Sequence, residues 1–175
     1  MSRFTDEFCE SINQELDKYE YRGLPIYEKI GSLEHEYLIK IRVDYWCKRC
    51  EREWSSNVGT CKVEWRLSKK KGVFRTHYQV LVYNQNCMEC YKRGQMSVED
   101  DQMERVARIF AREVDKSIDY EYFDSERYGS QDFYDEENEW EPQGPSNHPY
   151  HQQNLCQACK EGICENGDYG DEEEQ

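Results

Sequence analysis

Three pairs of cysteines, each separated by two residues, punctuate this chain: Cys47 and Cys50, Cys87 and Cys90, Cys156 and Cys159. Two cysteines at that spacing wrap one ion, because the turn between them aims both sulfurs inward, and zinc takes four such ligands in a tetrahedron. Cys47, Cys50, Cys87 and Cys90 therefore make one four-cysteine structural site. The stretch HQQNLCQACKEGIC, residues 151–164, offers a second set as His151, Cys156, Cys159 and Cys164, with His148 as the rival for the histidine place. A polar tail with unligated thiols is the plainer alternative there. Cys9 and Cys61 have no partner nearby in sequence and read as small buried hydrophobes. His35 and His77 fall on surface or strand positions, with no ligand geometry suggested.

Both sets are closed by protein, whereas catalytic zinc keeps one position open for water. No His-x-Glu precedes a Pro-Cys-x-x-Cys as a zinc deaminase needs, and no phosphate loop or nucleophile elbow is present. A thioredoxin-like use of one pair would need a βαβ context, which is missing. The expectation is a non-enzyme holding two zinc ions.

Placing the four early ligands on one ion requires a fold that returns Cys87 to Cys47 across the 36 residues between the pairs. YLIKIRVDYW (37–46) alternates apolar and polar residues and reads as a half-buried strand running into Cys47. VGTCKVEWRL (58–67) and VFRTHYQVLVYN (73–84), joined by SKKKG, read as an antiparallel hairpin that delivers the chain to Cys87. Before them, Phe4, Phe8, Ile12 and Leu16 recur every four residues, which predicts an amphipathic helix to about Lys18, and YRGLPIY follows as a loop. After the second pair, Met103, Val106, Phe110, Val114 and Ile118 form one helical stripe, with Ser97 and Asp100 as a capping box. The fold class expected is α+β: a small antiparallel β-sheet with zinc knuckles, an N-terminal helix and one longer helix after the second pair.

The segments follow: an N-terminal helix and loop over 1–36, a zinc-binding sheet with its helix over 37–118, an acidic aromatic linker over 119–147, a C-terminal ligand segment over 148–165 that closes on the core, and an acidic tail over 166–175. Residues 119–142 hold ten acidic side chains against one arginine, with seven aromatics interleaved, a composition that resists packing on its own.

The 175 residues carry a formal charge of −14, unevenly spread. Residues 1–39 hold 4 basic and 9 acidic groups, 40–97 hold 13 and 5, and 98–175 hold 6 and 23, so a +8 middle lies between acidic ends. Lys62, Arg66, Lys69, Lys70, Lys71 and Arg75 cluster around the expected hairpin with Trp65, Phe74 and Tyr78 as stacking faces, which makes a candidate nucleic-acid surface. The plainer reading is that the lysines solvate an exposed turn. No apolar stretch is long enough to span a bilayer and no secretory leader is evident, so a cytoplasmic protein is expected, one that can be peripheral to membranes.

CKRCEREWSS, VLVYNQNCMEC and HQQNLCQACKEGIC together resemble the three-CxxC zinc-finger family, whose best known members are the receptor-transporting proteins. The likeness spans roughly residues 38–165 and is most specific in the late C-x-A-C-x-x-G-I-C. It implies metal roles for Cys47, Cys50, Cys87, Cys90, Cys156, Cys159 and Cys164, places His151 ahead of His148, and matches Trp54 to the family's tryptophan after the first pair. It further implies a chaperone-like adaptor that helps G-protein-coupled chemosensory receptors, of olfactory or taste type, reach the cell surface through receptor or trafficking-machinery contacts. RNA binding with an antiviral role, as in interferon-induced members, is the alternative. Receptor-transporting proteins commonly end in a transmembrane helix, which has no counterpart in these residues.

Overall fold

The computed structural model describes residues 3–26, 33–122 and 152–164. In chain order the elements are α1 (Arg3–Lys18), β1 (Arg22–Pro25), β2 (His35–Cys47), β3 (Arg52–Lys70), β4 (Val73–Val82), β5 (Gln95–Ser97), α2 (Asp100–Tyr122), a 3-10 turn (Gln153–Leu155) and the single-turn α3 (Gln157–Lys160). The five strands form one sheet in the order β1-β4-β3-β2-β5. The fold is α+β as expected, but the sheet is mixed, because β1 runs parallel to β4.

β1 is the element that YRGLPIY concealed. Gly23 and Pro25 are poor strand formers, yet β1 is a sheet edge, where a missing proline N–H breaks no ladder. The Ile26 N–H then donates to the Tyr78 carbonyl at 2.6 Å. Ser97 does not cap α2: it is the last residue of β5, opposite Asp44, and the Glu99 carbonyl instead accepts the amides of Gln102 and Met103. With Asp100 and Asp101 in the first turn, where the helix dipole favours carboxylates, α2 runs to Tyr122, four residues into the acidic aromatic segment. Residues 123–150 lie outside the described residues.

The chain divides into two units, and β2 and β3 each start in one and end in the other. The first unit takes α1, β1, the start of β2, the end of β3, β4 to Leu81, and α2. Phe8, Ile12 and Leu16 of the α1 stripe are buried, as are Met103, Val106, Phe110, Val114 and Ile118 of α2; the Phe4 side chain lies outside those described. Phe110 meets Trp65 and Tyr78, both at a centroid separation of 5.4 Å, so large rings pack at the centre of this unit. The Tyr78 hydroxyl is satisfied inside by the Cys9 carbonyl at 3.2 Å and by Asn13 Oδ1 at 3.0 Å.

The second unit, with residues 40–61, 82–98 and the C-terminal segment, carries the cysteine pairs. Its β2 half alternates strictly, with Ile41, Val43, Tyr45 and Cys47 buried on one face. That phase places Cys47 on the inward side as the strand ends.

Candidate metal centres

Cys47 closes β2, and Cys87 follows β4 after a four-residue span, Tyr83 to Asn86. The two knuckles then adopt one geometry twice. The Glu51 N–H donates to the Cys47 carbonyl at 2.8 Å, and the Tyr91 N–H donates to the Cys87 carbonyl at 2.8 Å. Glu51 (φ 53°) and Tyr91 (φ 58°), each just past the second cysteine of its pair, sit in the left-handed region. That region is costly for a residue with a Cβ and persists only where the surroundings impose it. An ion pair, Arg52 to Glu89 at 3.0 Å, ties one knuckle to the other.

The ligand atoms of Cys47, Cys50, Cys87 and Cys90 all lie within 4.8 Å of one another, and the sulfurs of Cys47 and Cys90 are 3.5 Å apart. Sulfurs about 2.3 Å from a central zinc stand about 3.8 Å from each other in a tetrahedron, so the donor set fits that ion. The electrostatics prepare it. The Cys50 and Arg49 amides, with the thiols of Cys90 and Cys87, pull the Cys47 thiol down to about 7, against its own burial. The Cys90 thiol first, and then burial, push Cys50 up to about 12. Before a cation arrives, the site thus favours one thiolate with a protonated neighbour, and loading it releases protons.

The second centre is built differently. Cys156, just before α3, Cys159 on its turn and Cys164 after it bring their sulfurs within 4.8 Å of one another. Gly162 (φ 72°) ends that turn: its N–H donates to the Cys159 carbonyl at 3.1 Å, and the Ile163 N–H to the Ala158 carbonyl at 3.1 Å. This is a Schellman cap, and it turns the chain back so that Cys164 meets the other two. Ala158 is buried and Ile163 packs against the cluster it shares with Tyr83 and Cys156. The pattern C-x-A-C-x-x-G-I-C is therefore a folding instruction as much as a ligand set. Burial raises the Cys156 and Cys159 thiols. His151 and its rival His148 lie outside the described residues.

The span between β4 and Cys87 serves both centres. Gln85 bridges to Cys156, the Asn86 N–H donates to the Leu155 carbonyl at 2.9 Å, and the Gln157 N–H donates to the Asn84 carbonyl at 3.0 Å. The late cysteines are thus fastened to the loop that supplies Cys87. Trp54 holds that loop from the other side. Its ring stacks on Tyr45 at 5.3 Å, its Nε1–H donates to Gln85 Oε1 at 3.2 Å, and the Tyr45 hydroxyl donates to the Tyr83 carbonyl at 3.1 Å. Gly94 lies against the same ring, where a Cβ would stand 2.8 Å from it. Tyr83, Asn84, Gln85 and Gln157 were not singled out from sequence; only their place between the cysteine pairs hinted at a supporting role.

The remaining expectations sort clearly. Cys9 and Cys61 are buried, and burial pushes the Cys61 thiol up to about 12. Lys62 is drawn away from the hairpin cations, because Glu36 and Glu64 each hold its Nζ at 2.8 Å. Trp65 and Tyr78 are buried, so neither is a stacking face; Phe74 alone of the three reaches solvent. Arg66, Lys69, Lys70 and Lys71 are exposed and Arg75 is half-buried. His77 is half-buried on β4 beside Ser68, 3.2 Å away. His35, against expectation, does enter a group of possible ligands: its Nε2 is 2.7 Å from Glu121 Oε1, and Glu34 completes a set within 4.8 Å. Its stacking on Trp65 and its hydrogen bond with Glu121 account for that placement. No helix among the described residues is long and apolar enough to cross a membrane.

A family model described as a zinc-binding domain, the three-CxxC zinc ribbon, matches residues 40–162, well over half of the 175. Neither a curated protein nor a solved structure matches the chain. The match begins on β2 ahead of Cys47 and runs to Gly162, so it contains both knuckles and the first two of the late cysteines. With the two donor sets, it supports a protein stabilised by about two zinc ions. The chain belongs to the three-CxxC zinc-ribbon family.

Proposed function

We propose that the chain is a non-enzymatic, zinc-stabilised adaptor that promotes delivery of G-protein-coupled receptors, of the chemosensory type, to the cell surface. The observation that carries this reading is the closed first centre. Four cysteines occupy every position of a tetrahedral ion, so the metal has no place for a substrate or an activated water and acts as a fastening. A fastening of that kind makes a rigid scaffold whose function lies in the surface it presents. The resemblance of the three cysteine-bearing segments to the receptor-transporting proteins supplies the partner. RNA binding through the hairpin is the less favoured reading, since Lys62 is neutralised and two of its three proposed stacking rings are buried.

Surface display of a panel of chemosensory receptors, with the chain co-expressed, tests the proposal. Surface receptor rises with the intact chain and not with Cys87→Ser, and the receptor co-precipitates with the former. No gain for any receptor, with the intact chain expressed and zinc-loaded, refutes it.

A further inference from the structure

The β3–β4 connection is a two-residue loop, Lys71 and Gly72, with φ of 54° and 82° at its two positions. Positive φ at both is the type I′ turn that matches strand twist, and it favours Asn-Gly or Gly-Gly. A lysine in the first place costs backbone energy that asparagine or glycine would not. Lys70, Lys71 and Val73 are exposed, Val73 at 46%. Among the described residues no ion pair engages Lys70 or Lys71, in contrast to Lys62. Arg66 is exposed on β3, and Arg22 is exposed on β1 opposite Arg75. Beside the turn runs a chain of rings: Tyr19 stacks on Tyr21, Tyr21 meets Phe74 edge-on at 6.0 Å, and Phe74 meets Tyr122 at 5.0 Å. Lys69 lies 4.5 Å from the centre of the Phe74 ring.

We propose that this turn is a docking tip for an anionic lipid surface, with Lys70 and Lys71 at the headgroups and Val73 and the neighbouring rings at the edge of the acyl region. The shape chooses the occupant. A two-residue turn is convex and presents its side-chain ends to a plane, whereas a nucleic-acid strand needs a groove and open ring faces, and Phe74, the ring nearest the turn, is flanked edge-on by Tyr21 and Tyr122 and covered by Lys69. Lysines near an anionic leaflet, and tyrosines at the interface, are both placed favourably there. The formal charge of −14 repels the rest of the molecule from such a surface, so docking through this end also orients it. The proposal stands on the hairpin and the rings beside it and goes beyond the receptor reading; its failure leaves that reading untouched.

Co-sedimentation of the zinc-loaded full chain with vesicles of one part phosphatidylserine to two parts phosphatidylcholine, and with phosphatidylcholine alone, tests it. Binding requires phosphatidylserine and weakens as salt rises. The double variant Lys70→Gln with Lys71→Asn keeps the turn, since Asn-Gly suits it, and lowers the partition coefficient roughly thirtyfold, about fivefold for each lysine. Lys70→Arg with Lys71→Arg keeps binding, and Val73→Ser weakens it with the salt dependence unchanged. Unaltered zinc content and circular dichroism show that each variant is folded. Absent or phosphatidylserine-independent binding overturns the proposal, as does undiminished binding by the Gln/Asn variant. So does binding of a single-stranded RNA oligonucleotide that this variant loses while vesicles are ignored.

Discussion

Replacing Glu51 and Tyr91 by glycine should stabilise the zinc-loaded protein. Both residues occupy the left-handed region immediately after a cysteine pair, and both are exposed, Tyr91 at 66%, so truncation removes little packing. A residue with a Cβ pays about 1–2 kcal/mol there, and glycine returns about 0.5–1 kcal/mol of that through the extra freedom of the unfolded chain. The net gain is about 0.5–1 kcal/mol at each knuckle, or about 1–2 kcal/mol for the pair. With a urea dependence of about 2 kcal/mol/M, the double variant's midpoint rises by about 0.5–1 M at unchanged slope. Glu51→Ala and Tyr91→Ala separate strain from side-chain chemistry, because alanine removes the same groups and keeps the strained backbone. A glycine variant that is no more stable than the parent, or alanine variants that gain as much, would refute the reasoning.

Cys87→Ser removes a fully buried ligand from a site whose metal is worth on the order of 10 kcal/mol, comparable with the stability of a whole domain, so the protein becomes poorly soluble and loses zinc, as elemental analysis will register. Because residues 84–86 pair with the C-terminal segment, Cys159→Ser should speed chelator-driven zinc loss from the first centre as well; unchanged release kinetics there would show that the two are independent. Gly162→Ala forces a Cβ into φ 72° and costs about 1 kcal/mol, read as weaker retention of the second ion with the first retained. In the metal-free protein the Cys47 thiol, depressed to about 7, contributes stability that is complete above the ordinary thiol range and is lost as pH falls through 7. In the loaded protein protons compete with zinc for the thiolates, so a dye that reports released zinc should respond as pH falls, and a rise in release on the alkaline side of neutrality would contradict the sign.

The ligand cysteines were legible because metal chemistry imposes a spacing that composition alone does not produce, and the long helix was legible because Met103, Val106, Phe110, Val114 and Ile118 repeat with its period. The strands ending at Cys47 and preceding Cys87 announced themselves by alternation. β1 did not, since four residues with Gly23 and Pro25 carry no strand pattern and are recruited by the open edge of β4. β5 was hidden because three residues are too few to show an alternation, and the serine that looked like a helix cap is instead paired with Asp44 on β2. Lys62 lies on the more open face of β3 but is held by Glu36 and Glu64, and Trp65 shares the buried face with Cys61, Val63 and Leu67 and packs on Phe110, so what the sequence concealed was not the face but the partners. The left-handed conformations of Glu51 and Tyr91 escaped notice because glycine, the usual signal for them, is missing from both positions.

Two separate metal centres stabilise the protein, one on Cys47, Cys50, Cys87 and Cys90 and one on the late cysteines, whose segment backbone hydrogen bonds fasten to the loop before Cys87. Metal content of the purified chain, combined with the visible spectrum after cobalt substitution, addresses that most directly. Two ions per chain are expected, both with the intense visible bands of tetrahedral thiolate coordination, falling to one or none in Cys159→Ser. One ion per chain in the parent, or a second cobalt with the weak bands of an oxygen-ligated octahedron, would contradict it.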